Sequence, residues 1–239
     1  MNIKYTTINK SISQDAFNNS IISLLDKVNI DYYSISKEQQ HNCISSCIKH
    51  CNRCHKNCTK FLPRYITGTP DSVVISRANI SRVKRTQLDK NSYTLLEKLL
   101  LILKINLNNS YYTNTCMCNL IKVNDVTENE FLKCSLYKEL ELSTLEKIPK
   151  IIFLVGNDAL NTFLKKGTVT SHIGMNYIAE YLGDYRLFVP IVHPVYLHRD
   201  RELLKVQIEQ LKILSKVLDA GLLDNLNSNK GVIKDGITI

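Results

Sequence analysis

The sequence predicts an α/β fold: three layers, with helices on both faces of a central, mostly parallel, four-stranded sheet. Two observations predict it. Short apolar or β-branched runs alternate with amphipathic helical patterns through the middle of the chain. That alternation joins strands by helical crossovers, which keeps neighbouring strands parallel and buries both faces of the sheet. In addition, the 239 residues are 44% apolar, enough for one sizeable core.

The elements follow in order. Residues 1–47 are polar and rich in Asn, Ser and Lys, and read as a partly helical N-terminal extension. Within them "DAFNNSIISLLDKV" places Phe17, Ile21, Leu24 and Leu25 on one helical face. "DSVVIS" (71–76) is a β-branched run expected to be a buried strand, and "YTLLEKLLLILKI" (93–105) a helix. "SYYTNTCMC" (110–118) reads as a strand, as does "PKIIFLVG" (149–156), bounded by Pro149 and Gly156. "NDALNTFLKK" (157–166) is a helix with Asn157 or Asp158 placed to cap it. "YRLFVPIVHP" (185–194) is the last expected strand, and 201–221 a long amphipathic helix closed by Gly221. The main domain spans 48–221, and 222–239 is a loose tail. Ligands on such sheets bind at the C-terminal strand ends, so the loops after Ser76, Asn114, Gly156 and Val192 are the ones to inspect. With eight glycines and no glycine-rich loop, the chain carries no phosphate-cradling motif.

The formal charge of +9 makes a polyanion, nucleic acid first, a plausible partner. The longest apolar run, near residues 95–105, is too short for a bilayer and broken by charges, so no membrane partner is expected. The N-terminus lacks an apolar signal core, which points to a cytoplasmic protein, taken as a monomer by default. Eight cysteines in that setting suggest metal binding rather than disulfides. Cys51 and Cys54 form a C-x2-C pair, with Cys58 following. Taken alone, they also fit a local zinc site completed by His50 or His55. Cys43 and Cys47 read as small buried apolar residues.

Several ordered motifs resemble the family 4 uracil-DNA glycosylases. "CNRCHKNCTKFLPRYITGTPDSVVIS" (51–76) resembles that family's opening, in which a C-x2-C pair leads through a basic stretch into the first strand. "YYTNTCMCN" resembles its strand ending in Asn, then three residues, then a cysteine, here Asn114 and Cys118; Cys134 follows Cys118 by the family's spacing. "VPIVHPVYLHR" (189–199) resembles its second catalytic motif, a strand followed by His-Pro and a DNA-entering loop. The resemblance covers roughly residues 48–218 and implies a uracil-DNA glycosylase-like fold. It further implies that Cys51, Cys54, Cys118 and Cys134 ligate a [4Fe–4S] cluster of structural role, zinc being the alternative. Cys58 and Cys116 are then spare, Cys116 being the rival ligand.

The same resemblance assigns chemistry. His193 would hydrogen-bond O2 of a flipped pyrimidine as charge develops there, and Asn114 would read the base edge. Tyr196 and Leu197 would fill the vacated stack, while Arg199 and Arg201 meet phosphates. The first motif departs from the family. Where the family has Gly-Glu-Ala-Pro-Gly, this chain has Ser76-Arg77-Ala78-Asn79-Ile80, and Gln87-Leu88 stand near its Pro-Phe. The basic stretch that follows brings Arg82, Lys84 and Arg85 as phosphate-binding candidates, with Arg77 and Leu88 lining the base pocket. Water activation passes to Asn79 or Asp89. The first expectation is a monofunctional glycosylase for a modified pyrimidine, for example glucosylated hydroxymethylcytosine of phage DNA, in an antiviral role. The alternatives are excision of uracil in repair, or a catalytically inactive DNA-binding replication accessory.

Overall fold

The computed structural model describes residues 2–6, 32–51, 59–76, 87–119, 128–164 and 167–226. Its elements run β1 (Asn2–Tyr5), α1 (Lys37–Lys49), β2 (Thr59–Lys60), β3 (Val73–Ser76), α2 (Gln87–Leu101), β4 (Tyr111–Asn114) and β5 (Cys118–Asn119). They continue with α3 (Glu128–Ser143), β6 (Ile151–Val155), α4 (Asn157–Leu164), β7 (Met175–Tyr181), β8 (Asp184–Ile191), α5 (Pro194–Leu197), α6 (Arg201–Asp219) and α7 (Leu222–Asn225). The helix expected over 15–28 and the tail beyond 226 lie outside the described residues.

The four expected strands lie side by side in the order β8-β6-β3-β4, all parallel. Each is short and apolar; Val73, Val74, Ile75, Ile152, Phe153 and Leu154 are fully buried. Burying each such side chain stabilises the fold by about 1.5–3 kcal/mol before entropy is counted. Two further strands extend the sheet to six: β7 pairs antiparallel with β8, and β1 pairs parallel with β7 at the edge. β7 and β8 join through Leu182 (φ 51) and Gly183 (φ 81), a two-residue hairpin turn with both central residues left-handed. The first residues of the N-terminal extension therefore belong to the sheet.

Helices pack around it. The helix expected over 93–105 begins earlier, at Gln87, and ends at Leu101. The strand expected over 110–118 splits: β4 stops at Asn114, and the chain turns before Cys118 pairs with Lys60 in the small β2–β5 sheet. α1 starts in a capping box, in which Ser36 Oγ accepts from Gln39 N–H and Ser36 N–H donates to Gln39 Oε1. It packs on α3 in a second apolar cluster built from Tyr32, Ile44, Ile48, Met117, Leu136, Tyr137 and Leu140. A buried bond ties this layer to the sheet: His41 Nε2 on α1 lies 2.9 Å from the Tyr111 hydroxyl on β4. α3 and α4 meet where Lys138 Nζ sits 4.3 Å above the Phe163 ring. Among the described residues, no helix is long and apolar enough to cross a membrane.

Candidate active site

Strand register places the site. Ser76 on β3 is paired with both Asn114 on β4 and Val155 on β6, and Val155 with Ile191 on β8. The four C-terminal strand ends thus form one row, Asn114–Ser76–Val155–Ile191. Asn114 stands at one end and His193 just beyond the other. Three strand spacings of about 4.8 Å separate them by roughly 14 Å, which a pyrimidine ring reached by two side chains spans.

Each end is held. Gly156 closes β6 with φ 87, a left-handed turn that brings its N–H 2.8 Å from the Ile191 carbonyl. A Cβ built on Gly156 would meet His193 Cβ at 3.6 Å, so this turn lies directly against the histidine. Gln207 Oε1 on α6 accepts from Val192 N–H at 3.1 Å and fixes the strand exit. Pro194 then opens α5, with His193 as its cap. His193 Nδ1 accepts a hydrogen bond from Val195 N–H at 3.3 Å. In the neutral ring that bond leaves the proton on Nε2, making Nε2–H the outward donor. Burial lowers the His193 pKa and so favours the neutral ring; the nearby Asp158 carboxylate works the other way.

At the opposite end, Ser76 Oγ donates to Asn114 Oδ1 at 3.2 Å in a buried contact. Thr115 N–H bonds the Ser76 carbonyl at 2.8 Å and continues the pairing past the strand end. Ser76 and Asp158 were not among the expected site residues. The sequence marks Asp158 only as a candidate helix cap, and the Ser76–Asn114 contact depends on a strand pairing that crosses 38 positions of sequence.

The remaining expectations divide. Tyr196 is 63% exposed. Leu197 is fully buried in the main core, which corrects its expected role as part of a stacking wedge: α5 turns its side chain inward, and only Tyr196 of the pair faces outward. Arg199 and Arg201 are exposed on the same connection, where Asp200 caps α6 by accepting from Leu203 N–H at 2.9 Å. Arg77, Asn79, Arg82, Lys84 and Arg85 lie outside the described residues. Leu88 and Asp89 fall in the first turn of α2.

Among the cysteines, Cys54 lies outside the described residues. Cys51, at the end of α1, packs on the second apolar cluster, which also contains Met117. Cys116 lies against both Cys118 and Cys134; hydrogen bonding to the two raises its own pKa, and the bond to Cys116 is the main cause that lowers Cys134 to about 7. Lys60 Nζ donates to Cys118 Sγ at 3.3 Å. The thiols are linked through Cys116, and among the described residues no group of three or more His, Cys, Asp or Glu side chains stands ready-made around a metal position.

Residues 77–216 match the family model described as the uracil DNA glycosylase superfamily. The match contains Asn114 and His193 and starts immediately after Ser76. No curated protein matches the chain.

Proposed function

The chain belongs to the uracil DNA glycosylase superfamily, whose members usually act on DNA as glycosylases, and from that premise we propose that it flips a pyrimidine from DNA and hydrolyses the N-glycosidic bond, leaving an abasic site. The observation that carries this reading is the tautomer of His193, whose Nδ1 is occupied by Val195 N–H. As the bond to the sugar breaks, the electron pair goes to the departing base and negative charge gathers on O2. A neutral imidazole presenting Nε2–H stabilises that charge without giving up its proton. Asn114, at the other end of the strand row, reads the base edge. Tyr196 fills the gap left in the stack, and Arg199 and Arg201 hold phosphates, as do Arg82, Lys84 and Arg85. The oxocarbenium-like sugar is captured by water, positioned by Asn79 or Asp89.

The rewritten loop after Ser76, without the glutamate and the flat aromatic wall of the resembled motif, supports a pyrimidine bulkier than uracil, substituted at C5. Glucosylated hydroxymethylcytosine of phage DNA is one such base, and its excision would serve antiviral defence.

The thiols of Cys51, Cys54, Cys118 and Cys134 are proposed to hold a [4Fe–4S] cluster. The gathering of Cys116, Cys118 and Cys134 in one patch, with Cys51 on the adjoining apolar cluster, supports it, since such clusters take soft thiolate donors. The cluster would supply a structural tie between the segment at Cys51 and the turn after Asn114. Its residues take no part in the base chemistry.

The test offers the purified protein duplexes containing uracil, 5-hydroxymethyluracil, 5-hydroxymethylcytosine or glucosylated 5-hydroxymethylcytosine, and scores abasic sites by alkaline cleavage. Excision of at least one base, abolished in His193→Ala, is the expected result. Intact DNA binding with no excision of any base would show a binding module instead.

A further inference from the structure

We propose that Lys60 and Lys138 are charge-compensating residues of the cysteine site, raising the reduction potential of the cluster held there and making it harder to oxidise. The inference rests on the [4Fe–4S] reading given above. Lys138 poses the physical problem. It is 1% exposed, on α3. Taking an ammonium out of water is costly unless an opposite charge compensates. Among the described residues it forms no ion pair, and Nζ sits over the Phe163 ring instead. Glu141, the buried carboxyl on the same helix, is a poor counter-ion, because burial raises its pKa to about 8 and favours the neutral acid. Cys134 lies one turn earlier on α3, at the i, i+4 spacing that puts two side chains on one helix face, and is buried as well. The Lys138 ammonium and a Cys134 thiolate attract each other across that turn.

Lys60 reaches the same patch from the small sheet. It is the direct antiparallel partner of Cys118, which puts both side chains on one face of the β2–β5 pair. Its Nζ donates to Cys118 Sγ at 3.3 Å in a half-buried contact. Two of the four proposed ligands thus each have a lysine beside them, Cys118 across a strand pair and Cys134 along a helix. The sign of the effect follows from charge. Four thiolates bring more negative charge than an iron–sulfur core cancels, and one-electron reduction adds another. A nearby ammonium stabilises the reduced state more than the oxidised one, and an N–H donated to a ligand sulfur acts in the same direction. Both lysines therefore raise the potential. The buried Lys138 acts with little screening, whereas the half-buried Lys60 is open to screening by salt. The thiolate site in turn supplies the counter-charge that Lys138 otherwise lacks.

The experiment measures the midpoint potential of the cluster, without DNA, in the full chain prepared anaerobically and in its Lys60→Met, Lys60→Arg, Lys138→Met and Lys138→Gln variants, at matched iron and sulfide content. Each neutral variant is expected to shift the reduction equilibrium about tenfold toward the oxidised form, which is about 59 mV downward for one electron. Lys60→Arg, which keeps the charge, should stay near the unsubstituted value. Added salt should shrink the Lys60→Met shift and leave the Lys138 shifts in place. A lysine that serves only packing would change the melting temperature and leave the potential alone. Unchanged potentials in the neutral variants, with cluster content intact, overturn this inference while the cluster reading stands. A chain that takes up no iron and sulfide, or binds zinc in their place, overturns the cluster reading and this inference together.

Discussion

At the residue scale, the candidate site depends on small groups that fix larger ones. Val195 N–H occupies His193 Nδ1, and Ser76 Oγ is hydrogen-bonded to the Asn114 amide. Removing the imidazole in His193→Ala is expected to lower kcat at least about a hundredfold, measured under single turnover, because it deletes the donor to the developing charge. The pH dependence has a definite sign. Burial depresses the His193 pKa, so the working neutral ring is full at neutral pH, and activity should fall only as pH drops below the ordinary histidine value of about 6.5. An acid limb centred above that value would count against His193. Gly156→Ala should destabilise the fold by about 1–2 kcal/mol through its left-handed φ alone, read from the denaturation midpoint. The strand ends beside Asn114 and His193 were legible in the sequence because each stands next to a recognisable motif. Ser76 was not, since nothing in "DSVVIS" says which strand will lie beside it.

At the element scale, α1 is fastened to the sheet by a buried histidine. The His41 pKa is lowered by burial to about 4, against about 6.5 in an unfolded chain. Between those values the unfolded chain binds the extra proton, so stability rises with pH through this window and is lost on acidification. The loss should reach up to about 3 kcal/mol by pH 4. Urea unfolding at stepped pH should show a steep decline between about pH 6.5 and 4 that is shallower in His41→Gln; equal slopes would exclude His41 as the cause. The legibility of elements follows their local signals. β3, β6 and β8 announce themselves as β-branched or apolar runs, and β6 is bounded by proline and glycine. β7 has no comparable local signal, because its hairpin turns on Leu182-Gly183, which lacks the Asn-Gly or Asp-Gly signature that such turns favour. β1, only four residues long, is a strand by virtue of its partner rather than of its own pattern.

At the scale of the whole molecule, charge and metal make separable predictions. The excess of +9 and the exposed Arg199 and Arg201 should give DNA binding that weakens with salt. Replacing both arginines by alanine should flatten the slope of log K against log salt by up to about two. Protein prepared anaerobically should be brown and contain iron and acid-labile sulfide in equal amounts, with Cys134→Ser losing both; bound zinc in their place would favour the alternative. The sheet's outer edge carries one more consequence. β1 pairs with β7, so Asn2 finds Met175 only after most of the chain has been made. Contacts this distant in sequence form late, because the intervening loop must close before they reward it. The row of strand ends formed by β4, β3, β6 and β8 includes no residue of β1. Folding should therefore end with the N-terminal strand docking onto an already assembled sheet, leaving β7 briefly as an open, unpaired edge.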